Sequence, residues 1–184
     1  TLQFASPSFD VSLQELFSTW CAGGTLVIAP EEVRRDSERL AQYLVEQGVE
    51  RLFVPFVVLQ QLAEYLTGRE GRDLPISLRE VVTAGERLQI TPQIAALFSR
   101  LAASPGGCPL RNQYGPSETH AATELVLSGD PAAWPTLPSI GRPIADTAVF
   151  ILDHNLHLAA IGVPGELAIG GAGLAFGYSG RPDL

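Results

Sequence analysis

The chain of 184 residues has no methionine and only two cysteines. Cys21 and Cys108 form no C-x-x-C pair and no metal-ligand spacing, which excludes a disulfide framework and points to a reducing, cytoplasmic setting. Long apolar runs are missing too. The longest, Leu52–Leu59 and Val149–Leu152, fall far short of the ~20 residues that a spanning helix needs. No charged start followed by an apolar stretch predicts a signal peptide. Basic charge is scarce, with 12 Lys+Arg against 20 Asp+Glu and a net charge of −8. That argues against a nucleic-acid surface but leaves open a nucleotide carried with Mg²⁺. Phosphate-binding glycine motifs are absent in their strict forms. There is no GxxxxGK[ST], no GxGxxG follows a strand, and Gly170–Gly173 does not open a helix. His154 and His157 fall in a predicted turn and read as solvated, and His120 has no nucleophile and orienting acid nearby for a triad.

What is present is enough for about one globular domain, since domains run at roughly 100–200 residues. Apolar residues make up 46% and charged residues 17%. Helix and strand patterns alternate from Ser12 to about Tyr114. Ser12 and Glu15 have capping-box spacing, and Leu13, Leu16, Phe17 and Trp20 mark an apolar helix face that ends at Gly23-Gly24. Thr25–Ala29 reads as a short buried strand. Asp36 or Ser37 caps a helix with Leu40, Tyr43, Leu44 and Val49 on one side, stopped by Gly48. A strand at Leu52–Val54, a helix from Pro55 to Gly68, and a strand at Glu80–Thr83 follow. Thr91-Pro92 then opens a helix over Ile94–Leu101, and Leu110–Tyr114 is a further strand. Short strands separated by helices predict an α/β fold with a parallel sheet and right-handed crossovers. After the Gly and Pro cluster at 129–138 the texture changes to antiparallel β, at Val149–Asp153 and Glu166–Gly170. The expected division is therefore 1–130, an α/β core, and 131–184, a β-rich segment. The patterning at both ends reads as a piece of a longer protein.

Chemistry concentrates in Asn112–Thr119. This stretch follows a strand and so sits at the carboxyl edge of the sheet, where open α/β folds bind ligands. Gly115 permits a tight turn. Ser117 and Glu118 offer hard oxygens suited to Mg²⁺ and phosphates, and Tyr114 offers a ring for a base. The same residues also make an ordinary surface turn, and Thr83–Glu86 reads equally as a ligand-facing loop or a plain strand-to-helix turn.

Four stretches carry a family resemblance. Phe9–Glu15 is similar to the FDxSxxE motif of amino-acid adenylation domains of non-ribosomal peptide synthetases, and Asn112–Glu118 to their NxYGPTE motif. Ile140–Ile144 matches their IGRPI stretch, and Gly165–Tyr178 with Arg181–Leu184 resembles GELxIxGxGLARGYxxRPxL. Ser117 stands where Thr is usual and keeps the hydroxyl. Phe176 stands where Arg is usual and removes a cation. The family's phosphate loop would lie before Thr1, and its ribose-binding Asp, hinge and catalytic Lys after Leu184.

The resemblance implies that an amino acid is activated by ATP to an aminoacyl-adenylate and passed to the phosphopantetheine thiol of a carrier domain. Glu118 would hold Mg²⁺ and Ser117 would contact the α-phosphate. Gly85, Glu86, Asn112, Gln113, Tyr114 and Gly115 would frame the nucleotide. Asp10 would pair with the substrate ammonium, in a pocket completed by Val11, Gln14, Phe53, Val82, Ala84, Gln113, Ala121 and Ala122. That lining disfavours charged side chains, whose unpaired burial costs several kcal/mol. The series Asp10-Val11-Gln14-Phe53-Val82-Ala84 resembles that of proline-activating domains, so proline or a cyclic imino acid is the first expectation and a larger neutral aliphatic or amide side chain the second. Carrier and condensation domains of one synthetase are the implied partners, with no nucleic acid and no membrane. The alternatives are an acyl- or aryl-CoA ligase of the same superfamily, which has no ammonium for Asp10 to meet, and a truncated non-catalytic module.

Overall fold

The computed structural model describes residues 1–68, 73–103 and 106–181. Pro182, Asp183 and Leu184, the end of the last resembling stretch, lie outside the described residues. In chain order the elements are β1 (Leu2–Gln3), α1 (Val11–Trp20), β2 (Val27–Ile28), α2 (Glu31–Arg34), α3 (Ser37–Glu46), β3 (Arg51–Phe53), α4 (Phe56–Thr67), β4 (Glu80–Thr83), α5 (Pro92–Leu101), β5 (Leu110–Tyr114), β6 (Thr123–Leu127), β7 (Arg142–Pro143), β8 (Thr147–Leu152) and β9 (Glu166–Gly171).

Local chemistry sets the helix ends. The Asp36 carboxylate accepts from Arg39 N at 2.9 Å, and the Thr91 hydroxyl accepts from Ile94 N at 3.2 Å with Pro92 behind it. Pro55 starts α4 and Gly68 caps it. Strands β3, β4 and β5 are parallel, and β6 and β7 add antiparallel, giving a five-stranded sheet in the order β3-β4-β5-β6-β7. The expected α/β class with a parallel sheet and flanking helices is what the chain forms, and β8 and β9 make a separate antiparallel pair.

The two-residue period of the strands sorts core from site. Leu52, Val81 and Leu110 lie in register on one face, buried with Leu44, Leu59, Leu66, Ile94 and Phe98 of the helices. The opposite face carries Arg51, Phe53, Glu80, Val82, Arg111, Gln113 and Glu124. Helix α1 lies over this second face: Gln14 donates to Gln113, and Arg51 donates to Ser18.

Helix α1 overturns two expectations. Its apolar stripe does not pack inward; Leu13, Phe17 and Trp20 are each more than half exposed, while Ser12, Glu15 and Thr19 are buried. Nor do Ser12 and Glu15 form a capping box. Ser12 Oγ donates to Phe9 O at 2.7 Å, and Glu15 reaches the β1 segment, accepting from Phe4 N and Ala5 N at 3.0 Å each. Hydrogen-bond donors, not apolar area, pull this face inward. The expected strand Thr25–Ala29 shrinks to Val27–Ile28 with Ile28 exposed, because its partner β1 is itself two residues long. Helix α2, a single turn, carries no signal in the sequence pattern.

Candidate active site

A cavity of about 480 Å³ opens between α1, the β1–α1 loop and the carboxyl ends of β3 and β4. Asp10, Val11, Gln14, Phe53, Val82 and Ala84, six of the nine residues expected in a substrate pocket, line it. Gln113 and Ala121 line an adjoining cleft of about 60 Å³ that shares Asp10, Val11, Gln14 and Ala84 with the first. Ala122 lies in neither; it is buried against the sheet, its N–H donated to Tyr114 O at 2.8 Å. The large cavity is also walled by Phe4, Ala5, Ser6 and Phe9, which the resemblance did not place in the pocket. Besides Asp10 it holds one further carboxylate among the described residues, Glu86, whose Oε2 accepts the α4 amide of Val57 at 3.0 Å.

Asp10 occupies the N-cap position of α1 yet makes no capping hydrogen bond. An N-cap Asp would ordinarily accept an amide of the first turn. Its carboxylate instead meets His120, with Nδ1 3.2 Å from Oδ2. That contact joins residues 110 apart in sequence, and local patterning gave no sign of it.

The Asn112–Thr119 stretch contributes unequally. Gly115 and Ser117 reach the large cavity. A Cβ on Gly115 would stand 1.6 Å from His120 O, so the backbone of 115–120 folds over a position only glycine fills. Gly85, which lines the same cavity, has φ +81°. Asn112 is buried and donates to Ser139 O at 2.9 Å, which fixes the 139–140 loop. Tyr114 is partly exposed. Glu118 is exposed and accepts from the Tyr178 hydroxyl; this bond lowers the Glu118 carboxyl pKa and pushes the Tyr178 phenol up.

Behind the pocket, charges of alternating sign cross the sheet. Arg51 Nε contacts Glu80 at 2.7 Å, Arg111 bonds to Glu80, and Arg111 Nη1 contacts Glu124 at 2.6 Å. Burial alone would lower the Arg111 pKa, but bonds to Glu80 and Glu124 raise it. Glu124 then accepts from Gln113 Nε2 at 2.8 Å, and Gln113 Oε1 accepts from Gln14 Nε2 at 3.0 Å. No cluster of three metal-ligating side chains occurs among the described residues.

The description "AMP-binding enzyme" fits residues 1–179, and the chain belongs to that family. It is 40% identical over its whole length to a plipastatin synthase of Bacillus subtilis, spanning 5% of that protein. It is similar across its full length to the structure of holo-AB3403, a four-domain nonribosomal peptide synthetase bound to AMP and glycine, at TM-score 0.77 and 30% identity, covering 13% of that chain. A second likeness, at TM-score 0.83 and 26% identity over 99% of this chain and 20% of the other, is to the nonribosomal peptide synthetase FmoA3 bound to α-methyl-L-serine-AMP.

Proposed function

We propose that this chain is part of an amino-acid adenylation domain that joins an amino-acid carboxylate to the α-phosphorus of ATP, releasing pyrophosphate, and hands the acyl group to a phosphopantetheine thiol on a carrier domain. One observation carries the reading: a carboxylate relieved of helix capping stands at the wall of a cavity whose other wall is the Gly115–Ser117 turn. A charged carboxylate in a partly desolvated site suits an ammonium far better than a hydroxyl would. This favours an amino acid over the fatty or aryl acid of a CoA ligase.

Glu118 and Ser117 fit the Mg²⁺ role. Mg²⁺ keeps several waters and takes one or two carboxylates plus phosphate oxygens, so a single exposed carboxylate held ionised by a hydroxyl is a suitable donor. The ion would supply charge neutralisation on the phosphates. Tyr114, Gly85 and Gly115 would border the nucleotide, with Asn112 acting through the loop it holds. Catalysis of this type is mainly positioning and charge stabilisation. The chain contains no lysine, so a catalytic Lys would come from another part of the protein. Residues 131–184 belong in this reading to the same domain, and carrier and condensation domains are its partners.

The lining favours a compact neutral amino acid, with proline or a cyclic imino acid first and a larger neutral aliphatic or amide side chain second. Amino-acid-dependent ATP–pyrophosphate exchange by the complete domain, screened over neutral and charged amino acids, tests this. Preference for a charged amino acid refutes the pocket assignment. Absence of exchange with every amino acid, together with activity on a fatty or aryl acid, refutes the reaction class.

A further inference from the structure

We propose that His120 is a positioning residue for amino-acid binding: it holds the Asp10 carboxylate in the orientation that receives the substrate ammonium. The inference rests on the adenylation reading above, because it needs Asp10 to be the ammonium partner.

Three features of the site point to it. Asp10 spends its carboxylate on no helix amide, and its side-chain contact among the described residues is His120 Nδ1, 3.2 Å from Oδ2. An Asp side chain with no such contact would sample several rotamers, and fixing it on binding would cost entropy. With Nδ1–H as donor, Oδ2 is engaged, while Oδ1 accepts no hydrogen bond among the described residues and remains for an ammonium donor. A carboxylate has about four lone-pair sites, so both partners fit at once.

His120 is also held where it is. Its φ is +55°, in the left-handed region that side chains seldom occupy. The cause is visible in the turn. His120 O lies over Gly115, accepts from Thr119 Oγ1 at 3.0 Å, and the loop is closed by Ala122 N donating to Tyr114 O. The backbone conformation that aims the imidazole at Asp10 is thus built by the same turn that carries Ser117 and Glu118. Both partners line the small cleft where Gln14, Gln113 and Ala121 also meet, so a substrate side chain entering there passes beside the pair. Because the backbone is left-handed, the donor and the conformation can be separated by substitution. Asn tolerates positive φ and keeps a donor amide, whereas Gly also tolerates positive φ and removes the donor.

The test measures KM for the amino acid and for Mg·ATP by pyrophosphate exchange on the complete adenylation domain. The variants are H120G, H120N and D10N, and the double variant H120G/D10N. H120G is expected to raise the amino-acid KM about tenfold, the factor that 1.4 kcal/mol of lost positioning produces, with the Mg·ATP KM unchanged. H120N should recover most of that loss. H120G should add nothing in the D10N background, since the carboxylate it orients is gone. An H120G variant with wild-type amino-acid KM overturns the inference, as does equal loss of affinity for both substrates, or an H120N variant no better than H120G. If D10N leaves the amino-acid KM unchanged, the Asp10 assignment itself fails, and the two failures are told apart by that one variant. Thermal melting of each variant identifies any loss that comes from folding, and because Gly is at ease at φ +55° the H120G variant keeps the backbone intact.

Discussion

Removing the Glu15 carboxylate should loosen the wall of the candidate pocket from behind. Glu15 is 0% exposed. Its Oε1 accepts from Phe4 N and Ala5 N at 3.0 Å, and its Oε2 accepts from Ala5 N at 3.2 Å and Gln3 Nε2 at 3.5 Å. In Glu15→Ala two backbone amides lose their acceptor, and each unsatisfied amide costs about 1–3 kcal/mol when buried. The segment is only part-buried, which places each near the lower end, and losing a desolvated charge offsets some of the cost. A net loss of about 2–3 kcal/mol is expected by urea denaturation of the complete domain, read at constant m. Proton linkage gives a second arm. Burial raises the Glu15 carboxyl above its ordinary 4.5, against the opposing pull of the Ala5, Phe4 and Gln3 donors. The folded state therefore keeps its proton to higher pH than the unfolded one. The stability of wild type relative to Glu15→Gln should fall as pH rises from 4.5 through the raised value, and level off above it. A Glu15→Ala loss below about 0.5 kcal/mol, less than one neutral hydrogen bond, would refute the clamp. A wild-type advantage over Glu15→Gln that grows with pH would refute the raised Glu15 pKa, because it would mean that the donors outweigh burial.

Glu118→Ala should lower pyrophosphate exchange by about 10²-fold or more, the scale for one preorganised charge-stabilising group, with the melting temperature unchanged; unaltered exchange at saturating Mg·ATP would remove Glu118 from the site. Asp10→Ala should raise the amino-acid KM at least about tenfold while sparing Mg·ATP, as two-substrate kinetics would reveal. Gly115→Ala forces a Cβ to within 1.6 Å of His120 O, so exchange should collapse and the 115–120 turn should lose protection from hydrogen exchange. The Cys108 thiol, pushed up to about 12 chiefly by burial and next by Glu80, stays protonated at neutral pH; alkylation followed by mass spectrometry should label it only after unfolding.

The elements that the sequence revealed are those whose signals are local. Thr91-Pro92, Asp36 and the Pro55–Gly68 pair mark helix ends because the capping groups are neighbours of what they cap, and β4 and β5 run over the residues their β-branched and apolar patterns indicate. Helix α1 misled for a physical reason. Its apolar stripe at Leu13, Phe17 and Trp20 fixes a helical period but not which side faces inward. Glu15 turns inward because the donors of Phe4, Ala5 and Gln3 meet it there, and these come from β1 and the two residues after it, which no periodicity ties to the helix. The same spacing that suggests a capping box served a long-range clamp. In the pocket, resemblance named Asp10, Val11, Gln14, Phe53, Val82 and Ala84, which the fold gathers around one cavity, but it gave no hint of Phe4, Ser6 or His120.

What resemblance could least convey is the polarity of the pocket wall, because it is set outside the pocket. Glu124 ion-pairs with Arg111, and a carboxylate accepts hydrogen bonds without donating any. Gln113 must therefore turn its NH₂ toward Glu124, which leaves its carbonyl facing Gln14. Gln14 must in turn present its NH₂ to Gln113, and its own Oε1 is left buried with no donor among the described residues. Reversing either amide would set carbonyl against carboxylate or carbonyl against carbonyl. The Glu124 carboxylate, two hydrogen bonds away, thus sets both amides so that the Gln14 carbonyl oxygen is left without a donor among the described residues. The ladder Arg51–Glu80–Arg111–Glu124 fixes the position of that carboxylate, since each carboxylate in it has a guanidinium on at least one side. Two glutamines that look interchangeable in the sequence acquire fixed orientations from a charge order that only the folded sheet assembles.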